Sequence, residues 1–227
     1  MVSVSVLIPA YNEEQRVGKT ITSLWSTGKV QEIIVIDDGS TDYTGAVAAK
    51  YGARVIRLVQ NQGKGKALTV GFSFQQGEFV LLVDADLQES AGETLKLLDP
   101  ILKNQADLAV ALFTPEKSGK GFGLARQTAQ AGIKYLTGAM SKSPLSGQRA
   151  AKQKVWADLL PFSDGFGMEV GMYIDALQKG YRVMEIPLDL AHCPPGRNWA
   201  GFWHRGRQFY HICKTLMARA KNKSSKL

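Results

Sequence analysis

The 227-residue chain has only two cysteines, Cys193 and Cys213, and no C-x-x-C pair. That pattern argues against a disulfide framework or a thiolate metal site and fits a reducing compartment. No apolar run reaches the roughly 20 residues that span a bilayer. The opening MVSVSVLIPAYNEE shows no basic leader region and no small-residue cleavage site, so a cytoplasmic location is expected. Two nucleotide signatures are missing. There is no G-x-x-x-x-G-K-[ST] loop, and no G-x-G-x-x-G follows the first strand, which argues against a Rossmann dehydrogenase. The sharpest local absence is of acid. From Ala191 onward there is no Asp or Glu, against eight Lys and Arg. The first 190 residues balance at 20 basic and 20 acidic side chains, so the whole net charge of +8 lies in the last 37, together with all three histidines. Such a segment suits a surface that meets phosphate groups on a lipid, a membrane or a nucleic acid.

What is present has the composition of an ordinary globular chain, 44% hydrophobic and 21% charged. Short β-branched apolar runs fall at 4–9, 32–37, 53–59, 79–84, 107–112 and 182–190. Stretches with helical spacing fall at Glu13–Trp25, Thr41–Lys50, Leu124–Met140, Lys152–Leu160, Glu169–Lys179 and Gly201–Lys221. TPEKSGKGFG (114–123) reads as a mobile loop. The alternation predicts an α/β fold with a mostly parallel sheet and helices on both faces, over residues 1–190. A basic, aromatic C-terminal helix and tail follow over 191–227. On a helical wheel, Phe202, Phe209, Cys213, Leu216, Met217 and Ala220 share one side, while His204, Arg207, His211 and Lys214 lie mostly opposite. Such a helix suits a membrane surface or packing on the domain.

In open α/β sheets, ligands gather at the carboxyl ends of the strands. Three of these ends are rich in acid or amide: LIPAYNEE, VIDDGSTD and FVLLVDADLQ. In the second, Asp37 reads as structural and Ser40 or Thr41 as a helix cap. In the third, Asp84 and Asp86 stand one residue apart where an apolar strand stops. Such a D-x-D pair reads as ligands for Mg²⁺ or Mn²⁺, with a Gln88 carbonyl oxygen as a further donor, or as loop acids capping the next helix. GKGKAL (63–68) reads as a phosphate-neutralising loop through Lys66 or as a helix start with solvated lysines.

PAYNEE, DDGSTDYTG, NQGKGKAL, VDADLQ and SGQRA occur in this order. The set resembles the family 2 glycosyltransferases of GT-A fold, over residues 3 to 190. Closest in pattern are the dolichyl-phosphate mannose/glucose synthases and, more distantly, the glucosyl-3-phosphoglycerate synthases. The resemblance implies hexosyl transfer from a UDP- or GDP-sugar with Mg²⁺ or Mn²⁺. It places Pro9, Tyr11 and Glu13 at the nucleoside, Asp38 at the base, Asp84 and Ala85 at the ribose or diphosphate, and Lys66 beside the nucleotide. Asp86 and Gln88 would hold the metal, with His192 as a late metal or phosphate contact. Arg149 would face the sugar or an acceptor phosphate, helped by Arg197 and Arg205. A hydroxyl acceptor would need a base, for which Glu169 and Asp164 are the candidates. A phosphate acceptor is already anionic and needs none. The expected acceptor is a polyprenyl-phosphate-type lipid, reached through peripheral membrane contact. The alternative is a soluble phosphorylated acceptor such as 3-phosphoglycerate, and no nucleic-acid partner is expected. A sugar nucleotidyltransferase would carry a glycine-rich, arginine-containing loop where PAYNEE stands. A non-catalytic nucleotide-binding scaffold would tend to have lost one metal acid, and both are present.

Overall fold

A computed structural model describes residues 2–113, 123–163, 165–190 and 199–224, with side chains described outside 113, 166, 199–208 and 222–224. Seven strands form one sheet in the order β3-β2-β1-β4-β6-β5-β7. They are β1 (Val4–Ala10), β2 (Glu32–Asp37), β3 (Arg54–Arg57), β4 (Phe79–Leu82), β5 (Leu108–Phe113), β6 (Arg149–Lys152) and β7 (Val183–Leu188). The helices are α1 (Val17–Trp25), α2 (Thr44–Lys50), α3 (Lys64–Phe72), α4 (Leu98–Leu102), α5 (Gly123–Thr137), α6 (Gln153–Leu159), α7 (Met168–Gln178) and α8 (Trp199–Ser224), with 3₁₀ helices at Gln88–Leu97 and Gly165–Gly167.

The strands β1 to β4 run parallel, and β5 pairs parallel with β7. Between them β6 is antiparallel to both neighbours, with Arg149 opposite Leu82 of β4 and Val110 of β5. This is the one strand the hydrophobic pattern missed; among the helices it gave no element for α3, α4 or the 88–97 stretch. RAAK is four residues long and has no β-branched side chain, so nothing in its local propensity announces a strand.

Successive strand residues point to opposite faces. Val6, Ile8, Ile33, Val35 and Leu81 enter one core under α1, while Leu7, Ile34, Ile36, Val80 and Leu82 enter the other under α3, α5, α6 and α7. Full burial of each such side chain contributes about 1.5–3 kcal/mol relative to exposure. The edge strand β3 carries arginines at both ends in place of a third apolar layer. Helix starts are later than expected: α1 begins at Val17 instead of Glu13, and α2 at Thr44 instead of Thr41. Residues 11–16 and 38–43 are therefore loop, and they lie at the carboxyl ends of β1 and β2. The loop expected at 114–123 falls outside the described residues up to 122.

Two features tie α6 and α8 down. Trp156 of α6 is fully buried, donates its indole N–H to the Val80 carbonyl at 3.0 Å, and meets Phe162 edge to face at 5.9 Å. Among the described side chains of α8 the buried ones are Ile212 and Thr215, whereas Met217 is 59% exposed. Leu216 and Ala220 of the expected apolar side do pack on the core, so the packing face overlaps that side and is turned from Met217 toward Ile212 and Thr215. Trp156→Phe should lower unfolding free energy by about 1–3 kcal/mol through the orphaned Val80 carbonyl. Trp156→Ala should lower it by about 3–5 kcal/mol. Urea unfolding midpoints at constant m-value check both.

Candidate active site

The loops after β1 and β2 form one hydrogen-bonded unit. Asn12 takes the left-handed backbone region (φ +56°), which Asn tolerates better than most residues. Its backbone N–H donates to Ser40 Oγ at 3.0 Å, and its Oδ1 accepts the Thr41 N–H at 2.9 Å. The Glu13 N–H donates to Thr44 Oγ1 at 2.7 Å. Ser40 is therefore spent on the β1 loop and does not cap α2; the first free N–H there, that of Thr44, goes to Asp42 Oδ1 at 3.0 Å. Asp37 is fully buried and accepts the Ser40 N–H at 2.9 Å, closing the turn. Asp38, also buried, accepts the Gln62 and Gly63 N–H groups at 2.8 Å each. Its carboxylate ties the β2 end to the first turn of α3.

That turn delivers the central feature. Lys64 Nζ lies 2.6 Å from Asp84 Oδ1 and 3.1 Å from Glu169 Oε1. The other Asp84 oxygen accepts the Gln148 side-chain N–H at 2.7 Å. Burial alone would push the Lys64 ammonium down, but the Asp84 and Glu169 charges outweigh it and raise its pKa. Any stability this shift contributes is present below the ordinary lysine value of 10.5 and is lost only as pH rises through the higher folded value. Lys64 is charged throughout the neutral range. Gly147 is needed beside the pair, because a Cβ there would collide with Lys64 Nζ and stand 2.7 Å from Asp84 Oδ2. Lys66, two residues on, is exposed on α3. The lysine of this loop that meets the acids is Lys64, whereas the sequence pointed to Lys66.

Past Asp84 the chain is bracketed by one hydroxyl. Thr20 Oγ1 donates to the Ala85 carbonyl and accepts the Gln88 N–H, both at 2.8 Å, with Gln88 at φ +49°. Ala85 is buried and Asp86 half-buried. Burial raises the Glu13 pKa; its 2.7 Å ion pair with Arg16 opposes this and the charge of Asp86 adds to it, so Glu13 and Asp86 share one field. Among the described residues no three His, Cys, Asp or Glu side chains group as a closed metal site. The Asp86 carboxylate, with the Gln88 amide two residues on, is an oxygen donor set that still fits Mg²⁺ or Mn²⁺, which usually complete their shell with water and substrate phosphate. Tyr11 is 46% exposed at the rim and Pro9 is partly buried on β1. Asp164, His192 and Arg197, and the Arg205 side chain, lie outside the described residues.

Arg149 begins β6 and is buried, with its Nε donating to the Ser146 carbonyl at 3.0 Å. Both terminal nitrogens lack a hydrogen-bond partner. Burial pushes its pKa down to about 10, against the raising influence of Glu169, Tyr173 and Glu185. Glu169, 8% exposed, thus stands in the fields of both Lys64 and Arg149. The loop leading to Arg149 is pinned from β7 by Glu185, which accepts from Ser141 Oγ (2.6 Å) and from the Lys142 (2.9 Å) and Ser143 (3.1 Å) N–H groups. Glu185 was not foreseen: in the sequence it is one acid in a strand.

Acids and cations gathered at the carboxyl ends of adjacent parallel strands are the layout in which open α/β sheets take phosphorylated ligands. Residues 5–165 match the glycosyl transferase family 2, and the chain belongs to that family. It is 30% identical to protein MJ1222 of Methanocaldococcus jannaschii, covering 81% of this chain and 79% of that one. It is also 30% identical to the glucosyl-3-phosphoglycerate synthase of Mycobacterium tuberculosis, but spans 61% of that protein's length. The crystal structure of that synthase with Mg²⁺ and UDP superposes with a TM-score of 0.82 at 28% identity, over 96% of this chain and 79% of the other. A shorter match, 36% over 106 residues, links 42% of the chain to 33% of the undecaprenyl-phosphate 4-deoxy-4-formamido-L-arabinose transferase of Edwardsiella ictaluri.

The three-residue charge cluster makes a quantitative prediction. Lys64→Met leaves two part-buried carboxylates facing each other and should cost about 3 kcal/mol. In a double-mutant cycle with Asp84→Asn, the coupling energy should be about 1–3 kcal/mol. Thermal and urea unfolding of the four proteins measures it.

Proposed function

We propose that the chain transfers a hexose from a UDP-sugar to an acceptor that carries a phosphate, with Mg²⁺ or Mn²⁺ as cofactor. The observation that carries this reading is Asp84, fixed on both carboxylate oxygens by Lys64 and Gln148, with Asp86 two residues further along the same turn. The UDP complex of the mycobacterial synthase supports the choice of base. The phosphoglyceric acid and UDP-glucose found together with Mn²⁺ in another crystal structure of it support a phosphate-bearing acceptor.

The roles follow from charge. Glycosyl transfer breaks the bond between the anomeric carbon and the diphosphate oxygen, and negative charge grows on that oxygen. Asp86 with Gln88 would hold the divalent ion, which when bound would supply Lewis-acid stabilisation of this charge. Lys64 adds a fixed ammonium at the same strand end, preorganised by Asp84 and Glu169. Pro9, Tyr11, Glu13 and Ala85 line the nucleoside side, while Asp38 holds the 62–63 loop in place beside it. Arg149, with two unspent N–H₂ groups, is the anchor for the acceptor phosphate. A hydroxyl acceptor passes its proton to a carboxylate, and Glu169 is the one in the fields of Lys64 and Arg149. A lipid-phosphate acceptor attacks with an oxygen that is already anionic.

One surface favours the lipid alternative. Neither α5 nor α8 carries an acidic residue. On α8, Tyr210, Lys214, Met217 and Lys221 follow one another at helical spacing and all are exposed. An aromatic and basic stripe of this kind can lie on an anionic bilayer, each lysine contributing about 1 kcal/mol. No described helix is long and apolar enough to cross one.

The test is turnover of UDP- and GDP-hexoses with Mn²⁺, against 3-phosphoglycerate and against polyprenyl phosphate in anionic vesicles. A UDP-hexose should be consumed, and Asp86→Ala should lower kcat/KM at least about 100-fold, or ~2.7 kcal/mol. Undiminished turnover by folded Asp86→Ala, or indifference to UDP-sugars, contradicts the reading. Salt-sensitive sedimentation with anionic vesicles, lost in Lys214→Gln/Lys221→Gln, decides for the lipid acceptor; its absence decides for the soluble one.

A further inference from the structure

The inner side of α8 carries His211, Thr215 and Arg219, four residues apart and therefore on one face. Each is seated against a glycine of the segment GFGMEVG. A Cβ at Gly165 would collide with the His211 ring, one at Gly167 with the Thr215 hydroxyl, and one at Gly171 would stand 2.6 Å from Arg219 Nη2. Arg219 goes further than contact. Its Nε donates to Asp175 Oδ1 at 2.8 Å, and its Nη2 reaches Asp175 Oδ2 and donates to Ser163 Oγ at 3.1 Å. Its side chain is 15% exposed, so this two-point pair is largely shielded from water.

The grip brackets the segment that matters most to the site. Glu169 lies between Ser163 and Asp175, the two residues Arg219 holds, and its carboxylate accepts from Lys64. The Ser163 carbonyl also abuts Gly65, where a Cβ would collide with it, so the same segment touches the turn that carries Lys64. A shift of the 163–171 segment moves Glu169 and presses on Lys64 together.

We propose that Arg219 is a positioning residue: by holding Ser163 and Asp175 it sets Glu169 against Lys64, and α8 thereby completes the site from outside the sheet. The proposal rests on the glycosyl-transfer reading for its kinetic consequence and on geometry alone for its structural one. The experiment uses the full chain with Arg219→Gln, Arg219→Lys and Asp175→Asn. It measures amide hydrogen exchange and, separately, kcat and donor KM. In Arg219→Gln, exchange should speed up about tenfold over 163–171 and 63–68, with β1, β2 and β4 unchanged. Turnover should fall about tenfold with donor KM within about twofold, and combining it with Asp175→Asn should add little further loss. Arg219→Lys, which keeps one charge contact, should recover most of the turnover. Unchanged exchange at 163–171, or a loss of turnover that merely follows the fraction unfolded, overturns the proposal. Wild-type protein that consumes no nucleotide sugar would refute the proposed function, and the exchange data would still decide the positioning role.

Discussion

One ammonium group holds the candidate site together. Lys64 joins a carboxylate at the end of β4, the middle strand of the sheet, to one in the first turn of α7, a helix packed on one face of it. Two carboxylates brought this close without a cation would repel each other in a part-buried setting. The Lys64 ammonium between them offsets that repulsion and holds the β4 end against α7. The surrounding details serve that contact. Asp38 fixes the turn that launches Lys64, Gln148 fixes the second oxygen of Asp84, and Gly147 leaves the space.

Preorganisation explains why the cluster sits on rigid elements. Asp84 follows a strand buried on both faces, and Glu169 opens a helix buried along most of its length. An electrostatic site works best when its charges need not reorient during reaction. The loops after β1 and β2 reach the same end by a different route, exchanging side-chain and backbone hydrogen bonds with each other. The ends of β1, β2 and β4 are all tied down in this way.

Much of this architecture was legible in the residues. The apolar runs located six of the seven strands, and the three acid-bearing strand ends belong to β2, β1 and β4, which are neighbours in the sheet. The rest depended on information that is not local. Lys64 and Lys66 are equivalent in composition, but they lie about 200° apart around a helix, so only one can face the acids, and the helix phase is set by Gly63 and Asp38. The strand β6 forms because the sheet needs a partner between β4 and β5, not because RAAK favours extension. The inward side of α8 is chosen by three glycines more than forty residues earlier, which a helical wheel drawn on α8 alone does not contain.

The central claim is that this cluster forms the diphosphate end of a nucleotide-sugar site. Crystals of the protein with Mn²⁺ and UDP, measured at the manganese absorption edge, test it most directly. The account predicts one strong anomalous peak in direct contact with an Asp86 carboxylate oxygen, with UDP phosphate oxygens completing its shell and Lys64 still paired with Asp84. A manganese peak away from the β4 turn, or UDP bound with its diphosphate elsewhere on the surface, would contradict it.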